Sequence, residues 1–185
     1  MTDRMHVELQ VVRDDALDAG AVAAIGELFD REYSAEFGPW TRSAPYGYAP
    51  AATRVLAFAD DVLIGHVGYQ PRTITVGGAA VVIGGVGGVL IAPAARGIGL
   101  GARMLHAAQQ SMSAEVEFGY LGCREEVVPF YEAAGWRRIT ARERSLSRLD
   151  GTPVVTDSDP ILIRSAARPD HDWPEGDIDL LGPPW

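Results

Sequence analysis

The stretch VVIGGVGGVLIAPAARGIGLG, residues 81–101, constrains this chain more than any other. It is an apolar run broken by paired glycines, followed by Pro93, an Arg-Gly-Ile-Gly-Leu-Gly corner and the amphipathic LGARMLHAAQQSMSA. An apolar, β-branched run of that kind reads as a central strand, and its glycines mark a bulge or a close backbone approach. At the corner a strand hands over to a helix, whose first N–H groups have no partner inside the helix. Glycine lets a backbone come close to a ligand, and bare N–H donors backed by the helix dipole suit an anion. The corner therefore reads as a phosphate cradle with Gly97, Ile98, Gly99, Leu100 and Gly101 as N–H donors. Arg96 is either a charge-assisted contact to the same group or an exposed loop arginine.

Around that corner the pattern is one of strands with a few helices. HVELQVV (6–12) reads as a strand, and Val22, Ile25, Leu28 and Phe29 fall at helical spacing within about 15–33. SAEFGPWTRSAPYGYAP (34–50) has neither period and reads as a long loop, of the length that is often functional. RVLAFAD (54–60) and VLIGHVGYQ (62–70) form a hairpin; RTITV (72–76) resumes the strand after Pro71, and Gly77-Gly78 turns it into the central strand. The helix 100–114, the strand VEFGYLGC (116–123) and the short helix VVPFYEAAGW (127–136) follow, with Pro129 in that helix's first turn. RRITARERSLSRL and ILIRSA complete the sheet. The order is strand, helix, antiparallel meander, helix, strand, helix, strands: an α+β fold in a single domain spanning 1–185.

Composition removes several chemistries. All sixteen basic residues are arginine, so a lysine Schiff base and the P-loop lysine are excluded. One cysteine, Cys123, makes no internal disulfide, and His6, His66, His106 and His171 have no metal-ligand spacing, so no metal is expected. The net charge of −9 disfavours nucleic acid and suits either simple solubility or a cationic small-molecule partner. The N-terminus, MTDRMHVELQ, does not read as a signal peptide. The uncharged stretch 76–95 carries six glycines and a proline and does not read as a membrane span. The expectation is a cytoplasmic protein with no membrane partner, and a homodimer remains open.

The corner matches two patterns. Gly97, Gly99 and Ala102 fit G-x-G-x-x-A, the dinucleotide fingerprint, with Glu117 at the distance of a ribose acid, but the preceding meander is not the βαβ start that motif needs. Arg-x-x-Gly-x-Gly after a long central strand and a proline loop, with FYEAAGW (130–136) further on, resembles the GCN5-related N-acetyltransferase (GNAT) superfamily. The resemblance implies a single GNAT-like domain, a mixed, mostly antiparallel sheet whose central strand is splayed, flanking helices, and acetyl-CoA as co-substrate. The pantetheine arm would lie along Val89, Leu90 and Ile91, a backbone N–H near Val89 or Leu90 would polarise the thioester carbonyl, and Tyr131 would protonate the leaving thiolate.

Within that superfamily the chain resembles the aminoglycoside 2′-N-acetyltransferases in GYLGCREEVVPFYEAAGW, in Ala35-Glu36-Phe37 and in Asp172-Trp173-Pro174-Glu175-Gly176-Asp177. This likeness implies that Glu36, Asp172, Trp173 and Asp177 bind a cationic amino sugar, with the acidic tail 157–185 lining the acceptor site. The glutamate that acts through water in that subgroup is replaced by Gly87. His66 is a candidate replacement or a satisfied core histidine, with Glu36, the tail and ordered water as other options. Because the chain runs on through IDLLGPPW, Trp185 need not supply a carboxylate. GHVGYQPR (65–72) and Trp173 to Gly176 also resemble the nodulation N-acyltransferases, which transfer fatty acyl groups to an amino sugar. The expected function is acetylation of the 2′-amino group of an aminoglycoside-type antibiotic, with a kasugamycin-like substrate as one candidate, conferring resistance. The alternatives are N-acylation of another amino sugar from a longer acyl donor, and a degenerate acyl-CoA-binding module.

Overall fold

In the computed structural model, which describes residues 6–185, the Asp18 carboxylate accepts the Ala21 N–H at 2.7 Å and starts the first helix. This helix, α1 (Ala19–Phe37), buries Ile25, Leu28 and Phe29 and ends at Gly38, whose N–H closes on the Ser34 carbonyl at 3.0 Å. It runs one turn beyond the expected boundary because Tyr33 and Phe37, spaced i,i+4, pack edge to face with ring centroids 6.3 Å apart. Glu36 is consequently a residue of the last helical turn, not of a loop.

The meander follows the alternation in the sequence: β1 (Val7–Arg13), β2 (Thr53–Ala59), β3 (Val62–Val76) and β4 (Ala79–Ile91), with β2, β3 and β4 antiparallel neighbours and β1 on the outer edge of β2. Pro71 does not interrupt β3. β2 leaves β3 at Tyr69 and β10 (Ile178–Asp179) joins it only at Thr75, so the proline sits where one edge of β3 carries no strand.

After the corner come α2 (Leu100–Met112), β5 (Phe118–Gly122), α3 (Val128–Ala133), β6 (Arg137–Ile139), β7 (Glu143–Leu146), β8 (Pro153–Thr156) and β9 (Ile161–Ser165). Pro129 lies in the first turn of α3, where its missing N–H costs nothing. The sheet order is β6-β9-β5-β4-β3-β10-β7-β8, with β2 and β1 on the other half of β3's free edge. Only β4–β5 and β7–β10 are parallel, so the sheet is mixed and mostly antiparallel, as expected for this α+β domain.

Two features position the site. β4 and β5 pair only from Ile83–Phe118 to Gly85–Tyr120, and beyond Gly85 they part. On its other edge β4 carries a bulge: His66 faces Leu90 and Gly68 faces Gly87, leaving Gly88 and Val89 opposite Val67 alone. α2 and α3 cover one face of the sheet, where Met104, Leu105 and Met112 pack on Val55, Val67 and Val86. α1 covers the opposite face around Leu56, Leu63 and Leu90, and the C-terminal segment covers the rest of it around Ile83, Phe118 and Tyr120. Among the described residues no helix is long and apolar enough to cross a membrane.

Candidate active site

A cleft of about 1210 Å³ connects the N-terminus of α2, the gap between β4 and β5, and the far face of the sheet beneath α1. At the first end the backbone explains the glycines, though not all by one cause. Gly97 and Gly99 have φ of +79° and +77°, which L side chains rarely adopt, with open space around both. Gly101 is different: a Cβ there would lie 2.8 Å from the Phe130 ring, so α3 packs directly on the first turn of α2. At 97 and 99 the left-handed turn by itself requires glycine, and the open space leaves the approach to the corner clear. Gly97, Gly99, Leu100 and Gly101 line the cleft, while the Ile98 side chain is exposed outside it. Arg96 donates from Nε to the Ile91 carbonyl at 2.9 Å and from Nη2 to Glu32 at 2.9 Å, tying the corner to α1.

In the middle of the cleft, Val89, Leu90 and Ile91 form the strand wall next to the gap, and Tyr131 of α3 lines the same cleft. Burial, with Cys123 and Tyr33 nearby, pushes the Tyr131 hydroxyl far above the ordinary tyrosine range, so it stays protonated.

His66 also reaches the cleft wall, but its nitrogens are taken. Nδ1 lies 2.7 Å from the Gly88 carbonyl and Nε2 2.9 Å from Arg54 Nη1. Arg54 donates from Nε to Asp14 at 2.6 Å, and Asp14 also holds Arg42. Burial first, and then the Arg54 charge, push His66 down to about 3. This corrects the expectation of His66 as a base: an imidazole that already accepts from an arginine has no lone pair for a substrate proton.

The far end is aromatic and acidic. Tyr33, Phe37, Trp40, Tyr46 and Tyr48 line it together with Glu36. Tyr46 holds a left-handed backbone conformation, φ 53°, and packs within 5.7 Å of the Phe37 ring centroid and 6.0 Å of Tyr33. Arg148 fixes this corner by donating to the Tyr46 carbonyl at 2.9 Å while lying 5.1 Å over the Tyr48 ring.

The tail behaves differently from the expectation. Asp172 pairs with Arg168, Trp173 packs on Phe118 and Tyr120, and neither they nor Asp177 line the cleft. Of residues 157–185 only Trp185 does. The carboxylates are held away because Arg168 bridges Asp172 to Glu117, and β10 carries the chain back to β3 only after Asp177. Glu117, the ribose acid of the dinucleotide alternative, accepts the Val82 N–H at 2.8 Å as well and is thereby part of the fold.

Trp185 lies over Gly85 and Gly87. A Cβ at Gly87 would lie 2.7 Å from its carbonyl carbon and 3.0 Å from its Cβ. The place a Gly87 side chain would take is occupied by this residue, which Arg72 holds from 4.0 Å above the ring and Ala49 holds through the Pro184 carbonyl at 2.9 Å. Arg54, Arg72, Arg148 and Trp185 were not among the expected site residues. The aromatic segment 34–50 carried a signal through its length and composition; the arginines carried none, because each reads as an ordinary strand or loop position.

The solved structures that this fold resembles include YhbS of Escherichia coli, a GNAT family N-acetyltransferase in complex with CoA (TM-score 0.64, 16% identity, 97% of this chain and 92% of that one). ElaA of Escherichia coli gives a TM-score of 0.60 at 16% identity, covering 86% of this chain and 100% of that one. A GNAT family acetyltransferase from Brucella melitensis in complex with acetyl-CoA gives 0.55 at 18% identity, covering 95% and 96%. The fold is that of the GNAT proteins. No curated protein matches the chain. Residues 4–183 match the family described as Nodulation protein A (NodA).

Proposed function

Because the chain belongs to the Nodulation protein A family, we propose that it is an N-acyltransferase that moves an acyl group from a coenzyme A thioester to the amine of an amino sugar. The observation that carries this is the continuity of one cleft from the α2 N-terminus, through the parted strands β4 and β5, to the acidic aromatic pocket beneath α1. CoA-bound structures of the same fold, from Escherichia coli and Brucella melitensis, support the choice of donor.

The α2 N-terminus, with the N–H groups of Leu100 and Gly101 unpaired inside the helix, takes the diphosphate. The pantetheine arm runs along Val89 to Ile91. At the bulge a backbone N–H polarises the thioester carbonyl as the oxyanion forms. Tyr131, kept protonated by burial in the same cleft, gives its proton to the departing sulfur as the C–S bond breaks. The amine must arrive neutral. Among the described side chains of the cleft, Glu32 is paired with Arg96, and Glu36 is the carboxylate without an arginine partner. Glu36 draws in the ammonium form and accepts its proton through water. The rings of Tyr33, Phe37, Tyr46 and Tyr48 offer faces to the sugar.

A narrower reading, acetyl transfer to the 2′-amino group of an aminoglycoside such as kasugamycin and hence resistance, is favoured by Glu36-Phe37 at the pocket mouth. The Asp172–Asp177 segment, outside the cleft, gives it no support. Thiol release from acetyl-CoA and from long-chain acyl-CoA, measured across a panel of amino sugars and aminoglycosides, tests both. The broad reading expects turnover with at least one pair; no turnover with any, in protein that binds CoA, would leave only an acyl-CoA-binding module. Fast acetyl transfer to an aminoglycoside with no use of long-chain donors would select the narrower reading.

A further inference from the structure

His66 and Arg54 are each 2% exposed beneath the bend in β4, and the transfer chemistry assigns neither a step. We propose that they aim a backbone donor: His66, held by Arg54 and Asp14, fixes the Gly88–Val89 peptide so that the Val89 N–H faces the thioester carbonyl. This rests on the acyl-transfer reading and adds the residues that make its oxyanion donor rigid.

The argument starts from the peptide unit. In a trans peptide the C=O and the next N–H point in opposite directions. The Gly88 carbonyl points to the His66 ring, which lies on the α1 side of the sheet against Phe29, so the Val89 N–H points away from that ring and from α1. Gly88 has φ +60°, and a Cβ there would lie 3.1 Å from both the His66 ring and the Phe29 ring, so the bend is seated against those two side chains.

The hydrogen bonds leave no choice of direction. Arginine has only donors, so His66 Nε2 accepts from Arg54 and the ring proton is on Nδ1, facing the Gly88 carbonyl. Arg54 is in turn held by Asp14, whose second oxygen takes Arg42 Nε at 2.8 Å. The chain runs from the surface to the bulge. It is a poor way to stabilise a core, because Arg54 Nη2 is buried without a partner, and apolar residues of similar volume commonly do as well as a buried ion pair. A geometric task explains it better, since a donor is useful only when aimed at the oxyanion position.

The experiment uses the full chain and two variants. His66→Phe keeps a ring against Phe29 and loses both hydrogen bonds; His66→Asn places an amide N–H within reach of the Gly88 carbonyl from the same Cβ. With the donor and amine that give turnover, His66→Phe should lower kcat about 10²-fold, as loss of an oxyanion donor does, while CoA, which has no thioester carbonyl, binds within about twofold of wild type by calorimetry. His66→Asn should recover most of kcat. The carbonyl band of ¹³C-labelled acetyl-CoA, lowered in the wild-type complex, should return toward its free position in His66→Phe. In the wild type, ¹⁵N spectra should show His66 protonated on Nδ1 and not on Nε2, which decides the matter if His66→Phe does not fold. An unchanged kcat in His66→Phe, an Asn variant no better than Phe, or a proton on Nε2 overturns the proposal. Absence of CoA binding in the wild type overturns the acyl-transfer reading itself, and the aimed donor with it.

Discussion

Placing a glutamate at Gly87 should expel Trp185 and not add a base. The backbone at Gly87 is not in the left-handed region, so a side chain is permitted there by conformation and opposed by space alone. Its Cβ would lie 2.7 Å from the Trp185 carbonyl carbon, and under 3.0 Å something must move. What moves is the C-terminal segment, which would lose the Arg72 contact over the indole, the Gln70 bond to indole Nε1 and the ring's seat on Gly85. Uncovering much of an indole and breaking a desolvated cation–π pair costs about 2–4 kcal/mol together. Gly87→Glu should therefore be destabilised by about that much in chemical denaturation, with indole fluorescence shifted toward the exposed form. A double-mutant cycle isolates the cause: in a Trp185→Ala background the same substitution should cost less than about 1 kcal/mol, because the obstacle is gone. A single variant within about 0.5 kcal/mol of wild type with unchanged fluorescence, or equal costs in both backgrounds, would refute the seating of Trp185 over Gly87.

Three further outcomes follow from the cleft. Tyr131→Phe should lower kcat about 10²-fold with little change in CoA affinity, and an unchanged rate at saturating substrates removes it as the acid. Glu36→Ala should raise KM for a cationic acceptor about tenfold, an effect that shrinks with added salt, and should leave acyl-CoA binding alone; a KM that does not move excludes the contact. His66 makes a signed prediction about pH. Its folded-state pKa is depressed to about 3, while the unfolded chain takes up the proton near 6.5, so the folded state binds fewer protons between those values. The stability is fully present above pH 6.5 and is lost as pH falls toward 3. Between pH 6 and 4 the wild type should lose about 1 kcal/mol per pH unit more than His66→Asn, and parallel profiles for the two proteins would contradict a buried neutral imidazole.

The family-level features were legible because they are local. The paired glycines of β4 allow a bulge, the Arg-Gly-Ile-Gly-Leu-Gly corner takes left-handed conformations at Gly97 and Gly99 before an open helix start, and the helical spacing of Leu100, Met104 and Leu105 buries one face of α2. Strand alternation and the Gly77-Gly78 turn likewise set the meander without reference to the rest of the chain. α1 was underestimated by a turn because its last residues are held by ring packing between Tyr33 and Phe37, which no propensity records.

Residues whose roles depend on distant partners were decided only in three dimensions. His66 looks like a titratable base in the strand GHVGYQPR, but Arg54 and Gly88, brought beside it by the pairing of β2, β3 and β4, occupy both nitrogens. Asp172 and Asp177 look like ammonium ligands in an acidic tail, yet the path of that tail gives Asp172 to Arg168 and leaves both outside the cleft. Gly87 looks like a lost catalytic residue until Trp185, nearly a hundred positions later, is found against it. A hydrophobic period or a glycine turn is a property of neighbouring residues, so sequence determines it. Which charge is satisfied and which space is filled depends on contacts between segments far apart in the chain, and only the folded sheet determines those.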